Sequence, residues 1–288
     1  MLRTLTLTLA VLSGCQPGGD PGQVASEALS GALSGRAEVV ETEERTVGLD
    51  GRTLVLDGFS GDVRVETSAS VTGVRVRFDK RARGATEASA RERMGAIRIE
   101  EASDDAIYQY VWRAGELTGG LSVDAVAVVP PGTKVVVRTG AGGVAADGAL
   151  ASLDVEAGAG TVVVGRVSSR TLRVDVGAGD VTVNAAAVPA GAQWTVETGA
   201  GNLDLSVPPG ASLRIDAESG AGRVTDRGLG RARVERSGDP GDGRLQATLG
   251  RGEGTVRLRT GAGDVTVGGP TDIDGTESGQ TSGSSGPE

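Results

Sequence analysis

The sequence has no histidine, one cysteine, and two residues each of tryptophan, tyrosine and phenylalanine among its 288 residues. Without histidine, no Ser-His-Asp or Cys-His nucleophilic system and no histidine-bound zinc site can form. One cysteine cannot make an internal disulfide or a cysteine-rich metal site. Carboxylate chemistry remains open because aspartate and glutamate together number 38. We predict no cofactor and no metal site.

The net charge of −9 excludes the basic surface that nucleic-acid-binding proteins carry, so we predict no nucleic-acid partner. Glycine, in contrast, is in excess, with 48 copies. Glycine inside a helix costs about 1 kcal/mol relative to alanine, so a compact helical protein is not expected. No strict Gly-x-y period runs through the chain, which excludes collagen.

The N-terminus carries the pattern of a bacterial lipoprotein signal. Its apolar run, from Leu5 to Leu12, is shorter than the ~20 residues of a membrane span. The run ends in Leu12-Ser13-Gly14-Cys15, which resembles the lipobox, whose cysteine is lipidated and becomes the mature N-terminus. The resemblance implies a signal peptide over 1–14 and an envelope protein anchored to the membrane through Cys15. The residue directly after Cys15 is Gln16 and not aspartate. By the same resemblance, this implies a location in the outer membrane if the host is Gram-negative. A plain secretory signal with a free thiol is the alternative.

Composition divides the rest of the chain into two polar ends and a central domain. Residues 15–45 are rich in glycine, serine, alanine, proline and glutamate, which predicts a flexible tether after the lipidated cysteine. Residues 268–288 hold almost no apolar side chain, which predicts a disordered tail. The segment between them, 46–267, is predicted to form the folded domain.

A repeat organises residues 131–267 of this domain. The tripeptide Gly-Ala-Gly occurs six times, and the first five copies start 18 to 22 residues apart. The gap before the last copy is about two periods long, and we interpret the segment 250–254 within it as a degenerate copy. The copies begin at Gly140, Gly158, Gly177, Gly199, Gly220 and Gly261.

Apolar residues alternate with polar ones on both sides of each glycine corner. Leu172 and Val174 precede one corner, for example, and Val181 and Val183 follow it. This alternation predicts strands with one buried face, and glycine permits the positive φ and close backbone approach of a corner. Short strands and a period of about 20 residues favour an all-β, parallel β-solenoid with coils stacked about 4.8 Å apart. An antiparallel β-sandwich is the alternative.

Residues 46–130 are less regular, and we interpret them as the irregular opening coils of the same domain. Segments such as Arg52–Asp57 and Val71–Phe78 alternate as strands do. The segment Glu87 to Met94 is short and charged and predicts one helical excursion between these strands.

Three corners share one pattern, namely Phe59-Ser60-Gly61-Asp62-Val63, Gly177-Ala178-Gly179-Asp180-Val181 and Gly261-Ala262-Gly263-Asp264-Val265. They resemble the corners of a bacterial adhesin-like domain of unknown function, related to the head domain called GIN. That family has Gly-Ser-Gly-Asp corners between V-x-V arms. The resemblance covers about residues 47–267 and implies a β-helix-like solenoid in an envelope setting, without catalytic residues.

This chain departs from that pattern by using alanine inside the corner. Aspartate stands after the corner glycine only in some coils, and Gly143, Thr161, Asn202 and Arg223 replace it in the others. The corner aspartates do not have the tandem spacing of calcium-binding glycine-rich repeats. For them we predict hydrogen bonding in the turn.

One outward row of the repeat is acidic. If the coils stack in register, four carboxylates of this row lie about 5 Å apart. Such a row offers oxygen ligands to a divalent cation or a surface to a basic partner, whereas a solvated face is the ordinary alternative. The four residues are Glu156, Asp175, Glu197 and Glu218.

Tyr108, Tyr110 and Trp112 alternate and therefore share one face of a predicted strand. An exposed aromatic row of this kind can stack on sugars. A plug at the end of the core is the ordinary alternative for such a row.

These features predict a lipid-anchored, non-enzymatic cell-envelope protein of adhesin-like type. It would bind or space envelope or surface components, through an unknown ligand that is a glycan or a protein. Two alternatives stay open. One is a carbohydrate-active β-helix enzyme that uses pairs such as Asp154 and Asp175, and the other is a purely structural envelope scaffold.

Overall fold

The computed structural model describes residues 37–115, 119–229, 233–237 and 243–269, the third range by its backbone alone. Within these ranges the chain forms two long mixed β-sheets and one short helix. The expected all-β class is confirmed. Helix α1 spans Glu87–Met94, as predicted, and Thr86 caps it by accepting a hydrogen bond from the Ser89 N–H at 3.2 Å.

The strands are numbered along the chain, and their order within each sheet differs from that numbering. The first sheet consists, from one edge to the other, of β1 (Ala37–Val47), β4 (Val74–Gly84), β7 (Leu121–Val129), β3 (Val63–Thr67), β9 (Val144–Asp147), β11 (Val162–Val167), β13 (Val181–Ala185), β15 (Leu203–Ser206), β21 (Val265–Gly268) and β17 (Val224–Arg227). The second consists of β18 (Arg233–Ser237), β19 (Arg244–Leu249), β16 (Leu213–Ala221), β20 (Gly254–Ala262), β14 (Gln193–Ala200), β12 (Thr171–Ala178), β10 (Ser152–Ala159), β8 (Lys134–Ala141), β2 (Thr53–Gly58), β6 (Ile107–Arg113) and β5 (Arg98–Ser103).

Each glycine corner joins a strand of the second sheet to a strand of the first, and we call such a strand–corner–strand unit a coil. Successive coils pair in parallel and in register, so that Leu153 lies beside Leu172 and Val155 beside Val174. The inward rows are buried and fill the space between the sheets. The coils span residues 53–67, 134–147, 152–167, 171–185, 193–206, 213–227 and 254–268.

The stacking order departs from the chain order near the C-terminal end. Strand β20 pairs in parallel with β14 on one side and with β16 on the other. Strand β21 lies in the same way between β15 and β17. Coil 254–268 therefore lies between coils 193–206 and 213–227. The interpretation of 250–254 as a degenerate repeat is wrong, because this segment connects β19 to β20 and forms no corner.

Antiparallel strands cover both ends of the described stack. Strand β4 pairs antiparallel with β1 and β7, and β5 pairs antiparallel with β6. At the other end β19 pairs antiparallel with β16 and β18. Coil 53–67 pairs in parallel with β6 and β7 on one side and with β8 and β9 on the other. The opening coils expected over 46–130 thus consist of coil 53–67 and the parallel strands β6 and β7, and the antiparallel strands β4 and β5 flank them.

The tether predicted over 15–45 extends too far. Its last residues, 37–45, lie within β1, which pairs with β4 along its whole length. Val39 in this segment packs against the core, and its burial helps to hold the strand in place. The remainder of the tether, the signal over 1–14 and Cys15 lie outside the described residues, as do residues 270–288 of the predicted tail.

Two glycines of each Gly-Ala-Gly corner lie too close to the neighbouring coil for a side chain. A Cβ on Gly158 would lie 2.4 Å from the carbonyl oxygen of Gly140. A Cβ on Gly160 would lie 2.0 Å from the carbonyl oxygen of Gly142, and Gly160 also has a φ of +141°. The glycine excess of the sequence therefore supplies the backbone contacts between coils.

Candidate functional site

The outer face of the second sheet carries the acidic row predicted from the repeat. Glu156 lies beside Asp175, and Asp175 lies beside Glu197, on parallel strands β10, β12 and β14. Neighbouring strands are about 4.8 Å apart, so three carboxylates follow one another at that spacing. We call these three residues and Glu218 the carboxylate row.

The expectation of four consecutive carboxylates is wrong. Because β20 is inserted between β14 and β16, Arg259 stands between Glu197 and Glu218. At the other end of the row, Arg138 lies beside Glu156. The repeat spacing alone places Arg259 in this row. The local pattern does not show, however, which coils are the neighbours of coil 254–268.

Arginines neutralise most of the row. Arg138 Nε lies 3.0 Å from Glu156 Oε2, and Arg259 Nε lies 3.9 Å from Glu218 Oε2. Asp175 Oδ2 is 3.5 Å from Arg173 Nη2. These half-exposed pairs contribute little to stability. Glu197 is the member of the row that makes no ion pair with the described residues.

Asp154 lies on the same outer face, one row away from Glu156. Burial raises the pKa of the Asp154 carboxyl, and the nearby charge of Arg173 opposes that shift. Arg173 Nε is 3.8 Å from Asp154 Oδ1, and the same guanidinium contacts Asp175. Asp154 and Asp175, the pair expected to act in a carbohydrate-active enzyme, thus share Arg173 as their counter-ion on an open sheet face.

Shallow depressions run beside the carboxylate row. Their floors are corner glycines such as Gly158 and Gly199, which carry no side chain to fill the space. One depression is bordered by Arg138 and Glu156, the other by Glu197 and Arg259. A chain-like ligand lying across the strands would therefore meet charged side chains along one border and bare backbone beside them.

The corner aspartates bond between coils, and this corrects their expected role within a turn. Asp62 Oδ1 accepts a hydrogen bond from the Gly143 N–H at 2.7 Å. Asp180 and Asp264 accept in the same way, at 2.7 and 2.8 Å, from the N–H groups of Asn202 and Arg223. Each acceptor is thus occupied by the backbone of a neighbouring coil, which gives these side chains a structural role.

The predicted aromatic contact surface is buried. Tyr108, Tyr110 and Trp112 are 7%, 1% and 1% exposed, and they pack at the N-terminal end of the core. Phe78 makes edge-to-face contacts with Tyr110 and Trp112 at centroid distances of 5.3 and 5.7 Å. These rings plug the core and offer no face to a sugar, because β5 and β4 cover them.

Neither a metal site nor a membrane-spanning helix adds to this picture in the part of the chain that the structure describes. No group of three or more metal-ligating side chains occurs there. No helix in those ranges is long and apolar enough to cross a bilayer. The expected lipidation residue, Cys15, precedes them.

The sequence profile of the family described as Toastrack DUF4097 matches residues 22–268. The chain belongs to this family. The family resemblance inferred from the glycine corners is thereby confirmed. No curated protein shows significant sequence similarity to this Toastrack chain.

Several solved structures are similar to the Toastrack chain. One is a candidate cell adhesion protein from Clostridium sporogenes, with 14% identity and a TM-score of 0.41 over 80% of this chain and 100% of that one. Another is a candidate adhesin from Bacteroides fragilis, with 10% identity and a TM-score of 0.33 over 80% of this chain and 97% of that one.

Proposed function

We propose that this Toastrack chain is a lipid-anchored, non-enzymatic cell-envelope protein of adhesin-like type. Its coils form a parallel β-solenoid that holds the outer face of the second sheet rigid. That face binds or spaces an envelope or surface component, a glycan or a protein. The anchor is the lipidated Cys15, and in a Gram-negative host the location is the outer membrane.

The observation that carries the proposal is the in-register outer face. Equivalent side chains recur there once per strand, at about 4.8 Å, on parallel strands held by backbone hydrogen bonds. Glu156, Asp175 and Glu197 are consecutive on it, and glycine depressions run alongside. A rigid surface with a regular repeat suits an extended partner that makes several weak contacts at once.

Glu197 provides the sharpest test of that face. We expect the full chain, with Cys15→Ser to prevent lipidation, to bind members of an array of purified glycans and extracellular-matrix proteins. Glu197→Gln should weaken this binding, because it removes the carboxylate that has no intramolecular cation among the described residues. The matched control is Asp204→Asn, which changes an exposed aspartate of the same coil on the opposite sheet. Binding that is equal in both variants would contradict the assignment of the face.

The anchor is tested separately. We expect the native chain, expressed in a bacterial host, to incorporate a labelled fatty acid and to fractionate with membranes. Cys15→Ser should abolish both the label and the membrane association. A labelled Cys15→Ser chain, or a native chain that stays in the soluble fraction, would contradict the anchor.

Two outcomes separate the alternatives. Failure of the folded chain to bind any array member would favour a structural scaffold. Cleavage of a polysaccharide that is lost in both Asp154→Asn and Asp175→Asn would favour the carbohydrate-active enzyme, because that reaction needs two carboxyl groups.

A further inference from the structure

Coil 254–268 fills a slot between two coils that precede it in the chain. Strand β20 is in register with β14 over Gln193↔Thr255 to Ala200↔Ala262, and with β16 over Leu213↔Gly254 to Ala221↔Ala262. Without this coil, coils 193–206 and 213–227 would each present an unpaired edge in both sheets. The slot is therefore a complete binding site for one coil of this repeat.

Residues of coil 254–268 itself make the contacts inside the slot. Val256, Leu258, Val265 and Val267 are at most 1% exposed, and all of them point into the core between neighbouring rows. Backbone bonds complete the seat, with the Gly201 N–H donating to Ala262 at 2.8 Å and the Gly263 N–H donating to Ala221 at 2.9 Å. The same coil from another copy of the chain would make every one of these contacts.

A four-residue connection, 250–253, holds the coil in its own slot. Gly250 and Gly252 there have φ values of +55° and +67°, and the Gly252 N–H bonds to the Leu249 carbonyl at 3.1 Å. The connection wraps around Ser212, whose Oγ accepts hydrogen bonds from the Arg251 and Glu253 N–H groups at 3.0 and 3.4 Å. An extended connection would make none of these contacts and would need no left-handed residue.

We propose that coil 254–268 exchanges between two copies of this chain, each copy filling the slot of the other. The connection 250–253 is the hinge, closed in the single chain and extended in the pair. Because the slot contacts are identical in both forms, the balance depends on the hinge and on the protein concentration. The exchanged coil carries Arg259, so each copy would also place Arg259 between Glu197 and Glu218 on the outer face of the other.

Single cysteines on two different chains report the exchange directly. Ala200 and Ala262 are neighbours in register on exposed corners, and neighbouring strands are within disulfide reach. Full chains with Cys15→Ser and either Ala200→Cys or Ala262→Cys are mixed, taken to their unfolding midpoint in urea, returned to buffer and oxidised. We expect a disulfide between the two chains. The control pair is Ala141→Cys with Ala262→Cys, because position 141 lies several coils away.

Hinge variants distinguish exchange from random cross-linking. Gly252→Ala places a side chain at φ +67°, with its Cβ 3.0 Å from Arg214 Cγ, so the closed hinge is strained. With Gly252→Ala in one of the two mixed chains, the yield of the cross-linked pair should rise about tenfold, which corresponds to the strain of one left-handed alanine. Gly132→Ala is the matched control, because it carries φ +81° with nothing within 4 Å in a turn several coils from the hinge and should leave the yield unchanged.

Ser212→Ala provides an independent variant if Gly252→Ala does not fold. It removes the hydroxyl that holds the closed hinge and should also raise the yield. The proposal is overturned if the 200/262 mixture gives no more disulfide than the 141/262 control while one chain bearing both Ala200→Cys and Ala262→Cys cross-links within itself. It is also overturned if Gly252→Ala and Gly132→Ala give equal yields.

Discussion

The corner glycines should be the positions at which a single methyl group destabilises the fold most. In Gly160→Ala the new Cβ would lie 2.0 Å from the Gly142 oxygen, which is 1.4 Å short of an ordinary 3.4 Å contact. Relief of that clash moves coils 134–147 and 152–167 apart and lengthens the Gly142–Ala159 and Val144–Thr161 backbone hydrogen bonds, now 2.9 and 3.0 Å, beyond bonding distance. Two lost hydrogen bonds at about 1 kcal/mol each and a left-handed alanine at about 1–2 kcal/mol sum to about 3–4 kcal/mol.

Two further variants separate the two contributions. Gly191→Ala carries a positive φ of +71° with nothing within 4 Å, so it should lose only the conformational part, about 1–2 kcal/mol. Gly158→Ala has an ordinary φ but would place its Cβ 2.4 Å from Gly140, so it should lose only the contact part, about 2 kcal/mol. The assay is urea unfolding of the full chain, followed by tryptophan fluorescence. A loss below about 1 kcal/mol in Gly160→Ala would refute the close stacking of corners.

Five other substitutions have expected outcomes in the same unfolding assay. Thr161 stands at the corner position from which Asp62, Asp180 and Asp264 accept a hydrogen bond from a neighbouring coil. Thr161→Asn supplies such an acceptor and should add about 1 kcal/mol to the free energy of unfolding. No gain would contradict hydrogen bonding between coils at these corners. Burial raises the pKa of Asp154, so wild type should gain stability relative to Asp154→Asn as the pH falls through that pKa. Hydrogen bonding to Arg83 lowers the pKa of Glu38, so the stability lost in Glu38→Gln should be present near neutral pH and disappear on acidification. As the pH falls, the stability of wild type relative to the variant should therefore rise for Asp154→Asn and fall for Glu38→Gln. Changes in the same direction would contradict these assignments. Trp194 Nε1 donates to the Ser169 carbonyl at 2.9 Å, whereas the buried Trp112 Nε1 has no partner among the described residues. Trp194→Phe should therefore lose about 1–2 kcal/mol more than Trp112→Phe, and equal losses would contradict the Ser169 bond.

The strands and corners were predictable because they depend on local pattern. Alternation around each Gly-Ala-Gly places Leu153 and Leu172 inside, and the structure buries both. Glu87 to Met94 was recognisable as a helix for the same reason. In each case the residues that determine the element lie within it.

The stacking order was not predictable from the same residues. Every coil carries nearly the same pattern, so the sequence specifies the cross-section of a coil and leaves its neighbours undetermined. The place of coil 254–268, and with it the interruption of the carboxylate row by Arg259, follows from long-range packing at the end of the stack. The burial of Tyr108 likewise depends on β5 and the antiparallel cover, which the repeat pattern does not predict.

The most direct measurement is disulfide formation within one full chain, with Cys15→Ser and two added corner cysteines. The structure makes Ala200 and Ala262 neighbours in register and separates Ala200 from Ala221 by a whole coil. We expect an efficient disulfide in Ala200→Cys/Ala262→Cys and little in Ala200→Cys/Ala221→Cys. The reverse result would mean that the coils stack in chain order, and it would contradict both the carboxylate row with Arg259 in it and the slot for coil 254–268.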